Sequence, residues 1–120
     1  MMRFLKNTVK SMGLLTMYKV VVTSLADWDL DEIFEYIAID LDSPKAAADM
    51  VTHLYDSAKS LSNYPLRHPL VRDDYLAMQG FRYMAVKNYV VFYVFNEISK
   101  QAIIHRVLHS RQSYKRLLRS

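Results

Sequence analysis

RYMAVKNYVVFYVFNEISKQAIIHRVLH, residues 82–109, decides the fold. Three runs rich in β-branched and aromatic residues, RYMAV, YVVFYVF and AIIHRVLH, are separated only by short polar links built around KN and NEISK. That composition with links this short predicts three strands in an antiparallel meander. YVVFYVF is apolar at every position, so both of its faces need cover. In AIIHRVLH, simple alternation sends Ile103, His105, Val107 and His109 to one face and Ile104, Arg106 and Leu108 to the other.

Upstream the apolar spacing changes from two residues to 3.6. Leu30, Ile33, Phe34, Ile37, Ala38 and Leu41 predict an amphipathic helix over 25–41. Ser24 and Asp27 read as a variant capping box, and Asp27, Asp29 and Asp31 suit the positive end of the helix. DSP ends it, with Ser43 as the next cap and Pro44 at a first helical position where its missing N–H costs nothing. The second helix carries Ala47, Met50, Val51, Leu54, Ala58 and Leu61 on one face and stops at SNYP. So tight a link predicts an antiparallel helical hairpin.

YKVVVT, Tyr18 to Thr23, reads as an N-terminal strand, residues 65–80 as irregular, and SYKRLL as a short C-terminal helix. The expected fold is α+β: an N-terminal strand, a helical hairpin, a three-stranded antiparallel meander and a short closing helix. The hairpin covers one sheet face. No helix is assigned to the other, which is expected to meet solvent or a partner.

At 120 residues the chain is long enough for one core. It has no cysteine, which excludes disulfides, thiolate-bound zinc and thiol catalysis and fits a reducing, cytoplasmic setting. No run approaches a membrane span. MMRFLKNTVKSMGLLTMYKV has Arg3 and Lys6 near its start, but Asn7, Lys10 and Ser11 break any secretory apolar stretch. Residues 1–16 are read as an extension, or as the product of an upstream start codon, and 17–120 as the compact domain.

The net charge of +4 hides a division. Asp27 to Asp56 holds nine acidic residues against Lys45, and Lys59 to Arg119 holds eleven basic residues against Asp73, Asp74 and Glu97. A basic half suits a polyanion or an acidic protein partner, unless the two sets of charges interleave in space.

For chemistry the richest stretch is HSRQSYK. RNA cleavage by 2′-OH attack needs a base, an acid and cations for the phosphate, and His109, Arg111 and Tyr114 can fill these roles. Arg82, Lys87, Arg106 and Lys115 are the candidate RNA- or phosphate-binding residues. The plainer alternatives are that Tyr114 anchors a helix by packing its ring and that Arg111, Lys115, Arg116 and Arg119 form a solvated face. His105 is read as a sheet-packed structural residue. On one strand His105 and His109 stand too far apart to share an ion, and no metal or cofactor is expected. Asp31 and Glu35 share a helical face that is read as solvated.

YKVVVTSLADWDLDEIFEYIA, the helix ending in SLSNYP, GFRYMAVKNYVVFYVF and IIHRVLHSRQSYKRLL together resemble the RelE/ParE-type toxins of bacterial type II toxin–antitoxin modules. The likeness covers nearly all of Tyr18 to Leu118 and rests on the order and spacing of the pieces. It implies a growth inhibitor silenced by a cognate antitoxin, acting either by ribosome-dependent mRNA cleavage or by poisoning DNA gyrase. An inactive relative that only binds antitoxin is the third class. The resemblance to the nuclease ending points to His109, Arg111 and Tyr114, and places cleavage slightly ahead. Nucleases of the family carry Tyr-Arg-x-x-Tyr in the central strand, whereas NYVVFY has Val90 where the arginine stands.

Overall fold

The computed structural model describes residues 18–119 and the backbone of residues 2–4. The elements in chain order are β1 (Met2–Phe4), β2 (Lys19–Thr23), α1 (Ser24–Glu35), α2 (Pro44–Lys59), α3 (Asp74–Met78), β3 (Phe81–Val86), β4 (Tyr89–Asn96), β5 (Gln101–His109) and α4 (Tyr114–Arg119). The expected α+β order holds, and β3, β4 and β5 form the antiparallel meander. The expected extension falls mostly outside the described residues. Met2–Phe4 pair antiparallel with β2 at one sheet edge.

The sheet order is β1-β2-β5-β4-β3, with β2 parallel to β5 and every other pair antiparallel. The last strand in sequence is therefore the middle of the sheet. Against one face lie α1 and α2. Val20, Val22, Leu30, Leu54, Tyr93 and Ile104 are among the residues that close the core between them. The second helix turns inward the face expected of it, with Ala47, Leu54, Ala58 and Leu61 buried.

Four local expectations change. The cap of α1 is Thr23, whose side chain accepts from the Ala26 N–H at 3.1 Å, because the strand ends there in extended geometry. Ser43 precedes α2 without a side-chain capping bond. The first helix leaves α-geometry at Tyr36 and finishes as a π-turn over Tyr36–Asp40, closed by Leu41 N–H to Tyr36 O at 3.1 Å. One extra residue in the turn rotates the next side chains about the axis by about 100°, so Leu41 leaves the expected stripe and stands exposed, as does Ile39.

The fourth change concerns β5. Opposite β4, Phe92 faces Arg106 but Tyr93 faces Ile104, so His105 is an extra, bulged residue. Alternation breaks there: Ile104 and Val107 both reach the core under the helices, while Leu108 lies in the second cluster. The faces read from simple alternation are thus wrong on one side of His105.

The second sheet face is covered in part, contrary to expectation. Val71, Leu76, Phe81, Phe92 and Leu108 are buried together, with Tyr83, Val90, Tyr114 and Leu117 packed on them. The cover comes from the 65–80 segment, which contains α3, and from α4. Asp73 caps α3 by accepting from Leu76 N–H and also takes the Arg119 guanidinium at 2.9 Å, tying the two short helices together. Those contacts, the Leu76 N–H first, hold the Asp73 carboxyl below its usual range.

Candidate functional site

β5 outruns β2: the parallel pairing ends at Val22 and Ile104, so the β5 backbone beyond it meets α1 instead of a strand. Its polar groups still need partners. Thr23 donates its hydroxyl to His105 O at 3.3 Å. Asp29, buried on α1, accepts Val107 N–H at 2.9 Å and the Arg106 fork through Nε at 2.8 Å and Nη2 at 2.7 Å. The carboxylate raises the Arg106 pKa above its ordinary value. Arg106, expected to meet phosphate, spends its planar donor set inside the fold. In sequence, Asp29 suits only a helix start. Its position three after Ala26 and four before Ile33 puts it on the buried stripe, and that spacing is the available signal.

His109 ends β5. Its backbone N–H donates to Gln112 Oε1 at 2.7 Å, and its Nδ1 accepts from Arg111 N–H at 3.1 Å. The proton of the neutral ring therefore sits on Nε2. The ring meets Tyr89 edge-on at 5.4 Å. His109 lies between two clefts. One, about 220 Å³, is lined by Val71, Arg72, Tyr83, Val90, Phe92 and Tyr114. The other, about 750 Å³, runs between the helical hairpin and the sheet end, with Glu32, Tyr36, Met50, Tyr89 and Arg111 on its walls. So His109 shares one cleft with Tyr114 and the other with Arg111. The three expected site residues do not line a single cleft.

Tyr114 packs its ring flat on Phe92, with centroids 5.3 Å apart and planes 17° apart. Its hydroxyl accepts Asp73 N–H at 3.2 Å. These are the contacts of a packed anchor. Arg82 shares the helix-side face of β3 with Met84 and Val86, and its Nη1 donates to His68 O at 2.7 Å. Lys87 stands at the β3–β4 turn with φ of 54°, and Lys115 is exposed on α4. Val90, where nucleases of this type carry arginine, gives the smaller cleft an apolar wall.

His105 sits edge-on to Phe81 at 5.1 Å, and burial lowers its pKa. That fits the packed structural reading. No helix among the described residues is long and apolar enough to cross a membrane.

A family model described as the ParE toxin of the type II toxin–antitoxin system parDE matches residues 20–114. Among solved structures, the chain is similar to the chromosomal ParDE system from P. aeruginosa, with a TM-score of 0.61 and 19% identity over 73% of this chain and 90% of that one. It is also similar to the RelBE2 toxin–antitoxin complex from Mycobacterium tuberculosis, with a TM-score of 0.54 and 23% identity over 78% of this chain and 98% of that one. At these identities the structural likeness is one of fold. A comparison with curated proteins returned no match.

Proposed function

The chain belongs to the ParE toxin family of type II toxin–antitoxin systems, and from that premise we propose that it arrests growth by binding DNA gyrase, not by cutting mRNA. The observation that carries this is the cleft beside Tyr114. Its walls include Val71, Tyr83, Val90 and Phe92, while the arginine of the adjoining strand is held by Asp29. A cleavage site needs cations aimed at the phosphate where charge develops. Here Arg106 is committed to a buried carboxylate and Arg82 to a loop carbonyl, which leaves Arg72 as the one arginine on the cleft wall.

Ribosome-dependent cleavage keeps one observation in its favour: His109, with a proton on Nε2, and the Tyr114 hydroxyl line the same cleft. The two readings separate in two assays. Purified toxin added to gyrase should block supercoiling in near-stoichiometric amounts and leave a reporter mRNA intact in a translating lysate. Cuts that appear only during translation and vanish with His109→Ala would overturn the gyrase reading. Wild-type expression without growth arrest would point to an inactive relative that only binds antitoxin.

The structural relatives are toxin–antitoxin complexes, and a cognate antitoxin is the proposed partner here. Leu25, Trp28, Phe34, Tyr36, Ile39 and Leu41 stand exposed on the hairpin and the π-turn. They offer an apolar surface for it. Basic residues from the second half of the chain would steer an acidic antitoxin, so raising salt should slow association more than it hastens dissociation.

A further inference from the structure

A groove of about 450 Å³ separates the C-terminal half of α2 from the β3–β4 turn, away from both clefts around His109. His53, Ser57 and Ser60 form one wall, Arg67 and His68 come from the loop after α2, and Lys87 closes the far side. Asp56 also reaches the wall, with Lys59 at 3.7 Å from its carboxylate.

Arg67 defines the chemistry. Its guanidinium makes no ion pair among the described residues. Nη2 donates to Ser60 Oγ at 2.7 Å and Nε to His68 Nε2 at 3.2 Å, while Ser60 Oγ donates to Ser57 O. Neutral acceptors thus fix the side chain and leave its charge uncancelled. A guanidinium held in place without a counter-ion, with further N–H groups unspent, is ready for an anion. Lys87 adds a second cation across the groove.

Two cations in one groove suit the repeated charges of a polyanion better than a single carboxylate. No Phe, Tyr or Trp lines the groove, so it has no aromatic platform of the kind that holds single strands by stacking. The remaining chemistry is that of a duplex backbone, whose phosphates present oxygens to a fork. We propose that this groove binds the phosphates of duplex DNA, with Arg67 and Lys87 as the contacts and Ser57 and Ser60 as the support that orients Arg67. The inference does not depend on which target the toxin poisons.

The test uses the full chain and a short labelled DNA duplex, monitored by fluorescence anisotropy over a range of salt. Wild type should bind with a strong salt dependence. Arg67→Gln and Lys87→Gln should each weaken binding and lower the log–log salt slope by about 0.9, the value for one phosphate contact. A fourfold rise in salt should then cost wild type about 3.5-fold more affinity than either variant. Lys45→Gln removes the same charge at the opposite end of α2 and should leave binding nearly unchanged. Circular dichroism of each variant checks that the fold is intact.

Four results would overturn the proposal: no duplex binding by wild type, equal losses in Lys45→Gln and Arg67→Gln, tighter binding of a single-stranded RNA of the same length, or saturation by inorganic phosphate with no competition from duplex. The last would make the groove a site for the free ion.

Discussion

Asp29→Ala removes the carboxylate that holds α1 to the part of β5 beyond its pairing with β2. In the native fold Asp29 is 5% exposed and accepts three hydrogen bonds, two from the Arg106 fork and one from Val107 N–H. The Arg106 side chain is itself only 11% exposed. Truncation strands both donors. Deleting one partner of a buried ion pair costs about 3–5 kcal/mol, and an orphaned buried N–H costs roughly 1–3 kcal/mol. These overlap, because a freed arginine can swing toward water, so the expected loss is about 4 kcal/mol. That is a large share of the roughly 5–15 kcal/mol that holds a domain together. Asp29→Ala with Arg106→Met removes both charges, and only the Val107 N–H stays unpaired. The double variant should sit about 1–3 kcal/mol below wild type, above the single. Urea unfolding monitored by far-UV circular dichroism measures all three. A single variant within about 1 kcal/mol of wild type, or a double less stable than the single, would refute the reasoning. The double variant should also keep its toxicity. If it folds and is inert, Arg106 meets the target directly.

Tyr114→Phe keeps the stack on Phe92 and loses only the acceptor for Asp73 N–H. It should cost roughly 0.5–1.5 kcal/mol in unfolding experiments and leave growth arrest intact, whereas a catalytic tyrosine predicts its abolition. His105 and His68 both titrate below the ordinary value of 6.5, mainly because burial disfavours the charged ring. The unfolded chain therefore takes up protons first, so stability is full above that value and falls as pH drops through and below it. Each histidine contributes a slope of at most about 1.4 kcal/mol per pH unit, and His105→Gln should flatten the pH profile of Tm. Lys87→Gly relieves a side chain held at φ of 54°. It should be stabilising or neutral, by up to about 1 kcal/mol in chemical denaturation, although it removes a groove cation.

The elements visible in the sequence are those with long, regular patterns. The buried face of the second helix and the three strands of the meander emerge from apolar spacing, because many residues repeat the same signal. The features hidden from it depend on single residues or on distant pairing. The bulge at His105 is one inserted position, and no residue type marks it. The parallel docking of β2 on β5 joins segments some eighty residues apart. Cover for the second sheet face comes from α3 and α4, each too short to show a period. At the candidate site, the residue types near His109 were legible, but their partners were not. Arg106 and Tyr114 look alike in sequence whether they face a substrate or hold the fold together. Only Asp29 and Asp73, on other elements, decide it. Arg67 carries no signal in the sequence because its meaning lies in the lack of an acidic neighbour in space, which sequence order cannot display.

The central place of β5 also governs when the protein can exist in its folded form. β2 is made early and waits for a partner made after every other strand, and β4 lacks its inner neighbour until the same moment. Such long-range pairing is slow to form, and at about 5–20 residues per second the ribosome takes several seconds to pass from one strand to the other. The sheet therefore closes late, after all its other strands have been made. A chain that ends before Gln101, where β5 begins, lacks the strand that joins β2 to β4 and cannot close the sheet. Newly made toxin passes through an interval in which its strands are all present but not yet assembled, and an antitoxin already present has that interval in which to meet it.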